Sequence, residues 1–177
     1  GARLLDGRGR VLRFGGTVMK NVAGYDLSRS LAGSLGFFGL ILEVSLKVLP
    51  RPRAERTGVF ECDEAQAIDR LNAWAGRPLP LSASHWCEGR LSLRLAGAGP
   101  AVDAALRQLG GERLEDAPAA ALWTSLRDQS SDWFAGSEPL WRFALPSTAP
   151  PLELEGRQCI EWGGAQRWLR SLAPAAV

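Results

Sequence analysis

Histidine, lysine and cysteine are scarce in this 177-residue chain, and each scarcity closes off a class of chemistry. His85 is the sole histidine, which excludes any multi-histidine metal site and denies every other position the commonest general base. Lysine occurs only at 20 and 47, so arginine supplies nearly all the positive charge. The three cysteines, Cys62, Cys87 and Cys159, are far apart, odd in number and form no C-x-x-C pair. They predict neither a zinc site nor a disulfide framework, and they suit a reducing, cytoplasmic compartment. The longest apolar run, Phe37 to Val48, is broken by Glu43, Ser45 and Lys47 and cannot span a bilayer. A net charge of +2 gives no reason to expect nucleic acid as a partner. The opening GARLLDGRGR does not read as a signal peptide. It also lacks an initiator methionine, and a piece of a longer polypeptide, truncated at both ends, is expected.

What is present is enough for a core: 46% of residues are hydrophobic and 23% charged. The length allows one domain or two small ones. Asp6-Gly7 between apolar stretches at 2–5 and 10–14 predicts a hairpin. Asp26 can cap a short helix to Ala32. From Leu40 to Leu49 apolar and polar residues alternate, as in a half-buried strand, until Pro50 and Pro52 end it. A boundary is placed there, dividing the chain into 1–52 and 53–177. Beyond it the pattern reads as strand 56–62, helix 63–74, strands 81–87 and 91–95, helix 101–109 and a short strand 112–114. That order is β-α-β-β-α-β, the ferredoxin-like arrangement, so the fold class is α+β. A helix from Pro118 to Arg127, strands at 140–145 and 158–162, and a final helix over Ala165–Leu172 complete the expectation.

The stretch Phe14–Pro50 carries the densest pattern: FGGTVMKNVAGYDLSRSLAGSLGFFGLILEVSLKVLP. Glycines at 33, 36 and 39 allow positive φ or close backbone approach. On the residues alone this is either a tight helix-to-strand connection or a loop presenting N–H groups to a ligand.

Lys20-Asn21-Val22-Ala23-Gly24-Tyr25-Asp26-Leu27, followed by Ala32-Gly33-Ser34-Leu35-Gly36 and Gly39-Leu40-Ile41-Leu42-Glu43, resembles the closing part of the FAD-binding domain of vanillyl-alcohol-oxidase (PCMH-type) flavoproteins. Within them the likeness is to the FAD-binding E subunit of glycolate oxidase, related to FAD-linked D-lactate and 2-hydroxyglutarate dehydrogenases. The stretches Ser82–Arg94, Leu122–Asp128 and Leu140–Pro146 share it. The resemblance implies a partial PCMH-type lobe over 1–52 and a cap or substrate region over 53–177. It implies non-covalent FAD, not retained by this piece alone. Lys20, Asn21, Gly24 and Tyr25 match the loop near the flavin. Gly33, Ser34 and Gly36 match the turn that packs on the cofactor, and Gly39, Leu40 and Ile41 the strand entry beside it. Leu35 and Phe37-Phe38 depart from the pattern, which often carries glutamate and then threonine-leucine.

The implied activity is oxidation of glycolate, or another 2-hydroxy acid, with flavin as hydride acceptor. Partners would be a second flavoprotein subunit and an iron–sulfur subunit, which could hold the chain at the inner membrane. Competing readings are a non-catalytic scaffold or a D-lactate or 2-hydroxyglutarate dehydrogenase. His85 is a candidate acid or base, against a core role beside Trp86. Arg127 and Arg142 are candidate clamps for a carboxylate, against simple surface charge. The seven tryptophans are core material or interface anchors.

Overall fold

The computed structural model describes residues 1–15 and 26–172. Two compact units make up the chain, one spanning Gly1–Arg51 and the other beginning at Pro52. Among the described residues, no helix is long and apolar enough to cross a membrane.

The first unit holds β1 (Ala2–Leu5), β2 (Val11–Phe14), α1 (Leu27–Ser30) and β3 (Leu40–Val44). Its sheet order is β2-β1-β3, antiparallel throughout. The expected hairpin forms because Asp6 organises the turn. Its carboxylate accepts the backbone N–H groups of Arg8 and Arg10, each at 2.9 Å, and the Arg10 Nε–H at 2.8 Å. The Arg10 backbone bond is the first cause holding that carboxyl below its ordinary value. Ala2, Leu4 and Leu31, with Phe14 against them, form a small core.

Three expectations for this unit fail. The helix over Asp26–Ala32 is a single turn, and the Asp26 side chain makes no capping bond to it, engaging instead the Ser28 hydroxyl and Arg29. The strand to Leu49 stops at Val44, where pairing with β1 runs out. Nor is β3 half-buried: all five of its residues are exposed within this unit.

The second unit runs β4 (Ala54–Glu61), α2 (Glu64–Ala75), β5 (Leu81–Cys87), β6 (Arg90–Gly97), α3 (Gly99–Leu109), β7 (Glu112–Leu114), α4 (Asp116–Arg127), β8 (Leu140–Ala144), β9 (Arg157–Glu161) and β10 (Gln166–Arg170). Its first six elements follow the β-α-β-β-α-β order read from the sequence. All strands join one antiparallel sheet, ordered β7-β4-β6-β5-β9-β10-β8. Both units together make the chain α+β, as expected.

One sheet face is apolar. Leu91, Leu93 and Leu95 alternate along β6 and are at most 2% exposed. Burying each contributes about 2 kcal/mol. Trp86 and Ile160 extend this face, and Ala67, Ile68 and Leu71 of α2 and Val102, Ala105 and Leu106 of α3 cover it. Asp63 and Gln66 start α2 with a reciprocal capping box, and Gly110 ends α3 in the left-handed conformation.

The final helix expected over Ala165–Leu172 is instead strand β10. Gly163 and Gly164, at φ +64° and +107°, fold a tight turn after β9 and return the chain alongside it. The returning residues then pair on both edges, with β9 and with β8, and that ladder overrides the helical spacing of the side chains. The cysteine expectation also needs correction: Cys87 and Cys159 face each other across β5 and β9, 4.5 Å apart at Cα, and are joined as a disulfide. Cys62 is free and buried.

Candidate functional site

The second sheet face is polar, and the register shows how it is built. Directly opposed residues on an antiparallel ladder share a face. Thr57, Arg94 and Ala83 form one row across β4, β6 and β5. Ser92, His85, Glu161 and Gln166 form the next, and Arg90, Cys87, Cys159, Trp168 and Arg142 the third.

Helix α4 covers the β4 end of this face. Trp123 donates its indole N–H to the Thr57 hydroxyl at 2.9 Å. The Arg94 guanidinium lies over the same indole ring, 5.3 Å from its centre. Further along, Trp133, Cys159 and Trp168 pack with Cys87 and Phe134. Between these two covers lies a cleft of about 860 Å³. Thr57 and Arg94 floor it, Trp123 and Arg127 wall one side, and Arg142 and Glu161 the other.

Charge in the cleft is arranged unevenly. Glu161 is occupied, accepting from Gln166 Nε2 at 2.7 Å and Trp168 Nε1 at 2.8 Å. Arg127 is held by Asp128 at 2.8 and 3.0 Å, and that carboxylate keeps its guanidinium firmly protonated. Arg94 donates to the Ser82 hydroxyl. The Arg142 side chain is exposed and makes no hydrogen bond or ion pair among the described residues. A guanidinium with five unused donors beside an aromatic wall is suited to a small carboxylate.

The structure therefore brings Arg127 and Arg142 together but leaves His85 out of the cleft lining. His85 lies one row further along β5, opposite Glu161. Burial lowers its pKa from the ordinary 6.5, while Glu161 pulls the other way. Sequence reasoning missed Arg94, Trp123, Glu161 and Gln166. The alternation of Ser92 and Arg94 with Leu91, Leu93 and Leu95 was the available signal for Arg94.

In the first unit, Gly33, Ser34 and Gly36 lie in one turn between α1 and β3. Gly33 and Gly36 have φ near +76° and +82°, and a Cβ on either would meet nothing within 4 Å. Their bare backbone thus offers a surface that a flat or diphosphate group can approach, which fits a cofactor wall. The Ser34 hydroxyl is engaged by the Leu31 carbonyl at 2.9 Å. Gly39 has another reason to be glycine: a Cβ there would collide with the Leu5 carbonyl oxygen. Leu40 and Ile41 pair with Leu5 and Leu4 of β1. Lys20, Asn21, Gly24 and Tyr25 lie outside the described residues.

No family model matches the chain. It is 46% identical over 173 residues to the glycolate oxidase subunit GlcE of Escherichia coli, an alignment covering 98% of this chain and 48% of that subunit. The chain is similar to this subunit along nearly its whole length. It is also 39% identical over 82 residues to the glycolate oxidase subunit GlcD of Bacillus subtilis, covering 45% of this chain and 17% of that protein. A third match, 41% over 46 residues, is to a D-lactate dehydrogenase of Anaerostipes hadrus, covering 26% of this chain and 10% of that enzyme. The chain thus spans about half the length of the first relative and less of the others. All three names fit the resemblance carried by the 20–43 motifs.

Proposed function

We propose that this chain works within an FAD-dependent 2-hydroxy-acid oxidoreductase, as part of a glycolate oxidase E-type subunit. The observation that carries this reading is the 46% identity extending over 98% of the chain. Gly33 and Gly36 serve as one wall for non-covalent FAD, and the sequence motif of Lys20, Asn21, Gly24 and Tyr25 resembles a flavin-side loop. FAD, when bound, would supply the two-electron acceptor needed to oxidise glycolate to glyoxylate. The chain's own part in substrate handling belongs to the arginine cleft. There Arg142 takes the substrate carboxylate, and Arg94 and Trp123 hold the cleft's shape. A second flavoprotein subunit and an iron–sulfur subunit would be the partners that accept the electrons.

The test is to assemble the chain with the remaining glycolate oxidase subunits and follow glycolate-dependent reduction of an artificial acceptor dye. Glycolate-dependent reduction that disappears when this chain is omitted is the expected outcome. Reduction that is indifferent to the chain overturns the reading. The purified chain alone is expected to be colourless, and stoichiometric flavin absorbance would overturn that point.

A second reading is a partner-binding scaffold. It is favoured by the exposure of Leu35, Phe37, Leu46, Val48 and Leu49, each at least 80% exposed within the first unit. Assembly-dependent activity that survives loss of flavin from this chain would select it.

A further inference from the structure

Cys87 and Cys159 lie outside the cleft lining, and nothing in the proposed oxidation uses them. His85 Nδ1 or Nε2, Cys87 Sγ and Cys159 Sγ all lie within 4.8 Å of one another. We propose that the reduced protein binds one thiophilic divalent cation, of the zinc class, through His85, Cys87 and Cys159, and that the disulfide and the metal exclude each other.

The geometry comes from the ladder rather than from a loop. His85 and Cys87 are two residues apart on β5 and so project from the same face. Cys159 stands directly across from Cys87 on β9. In tetrahedral coordination zinc sits about 2.3 Å from sulfur and about 2.0 Å from nitrogen, which places its ligand atoms well inside the observed spread. Two thiolates and an imidazole leave a fourth position open, as in catalytic rather than structural zinc sites.

The surroundings suit the ion. Glu161 lies across from His85, where a carboxylate can orient a ligating imidazole. Trp133 and Trp168 pack on Cys159 and shield one side from water. The Trp133 indole N–H is buried and has no acceptor among the described residues. A thiolate is an acceptor that a disulfide sulfur replaces poorly.

The redox step balances simply. A phosphine or thiol reductant gives two electrons to the S–S bond, and two protons complete the thiols. Metal binding then displaces both protons.

The test uses the full chain, reduced with a phosphine, stripped with a chelator and titrated with cobalt and then zinc. One equivalent of Co²⁺ should raise a thiolate-to-cobalt charge-transfer band with intense tetrahedral d–d absorption. Zinc should displace it, and the oxidised chain should bind neither. Because Cys159→Ser could fail to fold, alkylation of the wild-type chain is mapped as well. Zinc should protect Cys87 and Cys159 and leave Cys62 unchanged. His85→Gln should weaken zinc binding at least about 100-fold, and Glu161→Gln about tenfold. A reduced wild-type chain without the charge-transfer band overturns the proposal. So does undiminished affinity in His85→Gln, or alkylation of Cys87 and Cys159 indifferent to zinc.

Discussion

Trp123 and Thr57 are joined by a 2.9 Å hydrogen bond that fastens α4 onto the centre of β4, at the floor of the arginine cleft. Thr57 is only 2% exposed, so no water can replace its hydroxyl. Thr57→Val keeps the shape and leaves the indole N–H unpaired. It should lower unfolding stability by about 1–3 kcal/mol in urea titrations. Adding Trp123→Phe should recover part of the loss, since both polar partners are then gone. Purely additive effects would mean the bond does not form.

Gly39 and Gly36 both have positive φ, yet they should behave differently. A Cβ at Gly39 meets the Leu5 carbonyl oxygen, whereas one at Gly36 meets open space. Gly39→Ala should destabilise the first unit by at least about 2 kcal/mol, read as faster amide exchange along β1 and β3. Gly36→Ala should cost about 1 kcal/mol from backbone conformation alone. In an assembled oxidase, Gly36→Ala should lower flavin occupancy beyond that modest stability change. Equal exchange rates in the two variants would contradict this division of roles.

These two glycines show what the sequence could and could not convey. Their spacing marked a turn, but only the three-dimensional approach of Leu5 separates the structural glycine from the open ones. The β-α-β-β-α-β order was legible because Leu91, Leu93 and Leu95 alternate and Asp63 announces α2. Residues 166–170 were not, because their strand identity depends on the gap between β8 and β9, which no local pattern encodes. The same holds for Cys87 and Cys159, which are 72 residues apart and meet only through strand register. Arg127 and Arg142 were singled out by residue type, and their convergence on one cleft required the fold.

Arg142→Ala tests the cleft directly. The side chain is exposed and makes no bond among the described residues, so stability should change by less than about 0.5 kcal/mol. Loss of a charge-assisted bond to a substrate carboxylate should raise KM for glycolate about tenfold or more. Arg127→Ala, whose guanidinium is already committed to Asp128, should have a smaller effect on KM. An unchanged KM in Arg142→Ala would remove this arginine from substrate binding.

Glu64 gives a pH dependence. It lies 3.5 Å from Arg167, a charge contact too poorly aimed to count as a hydrogen bond. Burial raises its carboxyl above the ordinary 4.5, with Arg167 opposing. Between the unfolded and folded values the unfolded chain has released this proton and the folded chain still holds it. Stability from this group is therefore present below pH 4.5 and declines as pH rises through the folded value. Glu64→Gln should flatten that slope in urea titrations across this window. A slope that persists in the variant would assign the effect elsewhere.

Arg170 has a quieter consequence. Its guanidinium donates to the main-chain carbonyls of Trp133, Phe134, Gly136 and Glu138. Every one of these bonds is made to backbone, so the path of that connection is written at position 170 and not in the connection itself. Ala135, Ser137 and Glu138 could drift through many sequences without changing course, whereas a Cβ on Gly136 would crowd the same guanidinium. Lysine at 170, with one nitrogen in place of a fork, could not hold four carbonyls in plane. A single inward-pointing side chain thus separates where a loop goes from what it is made of.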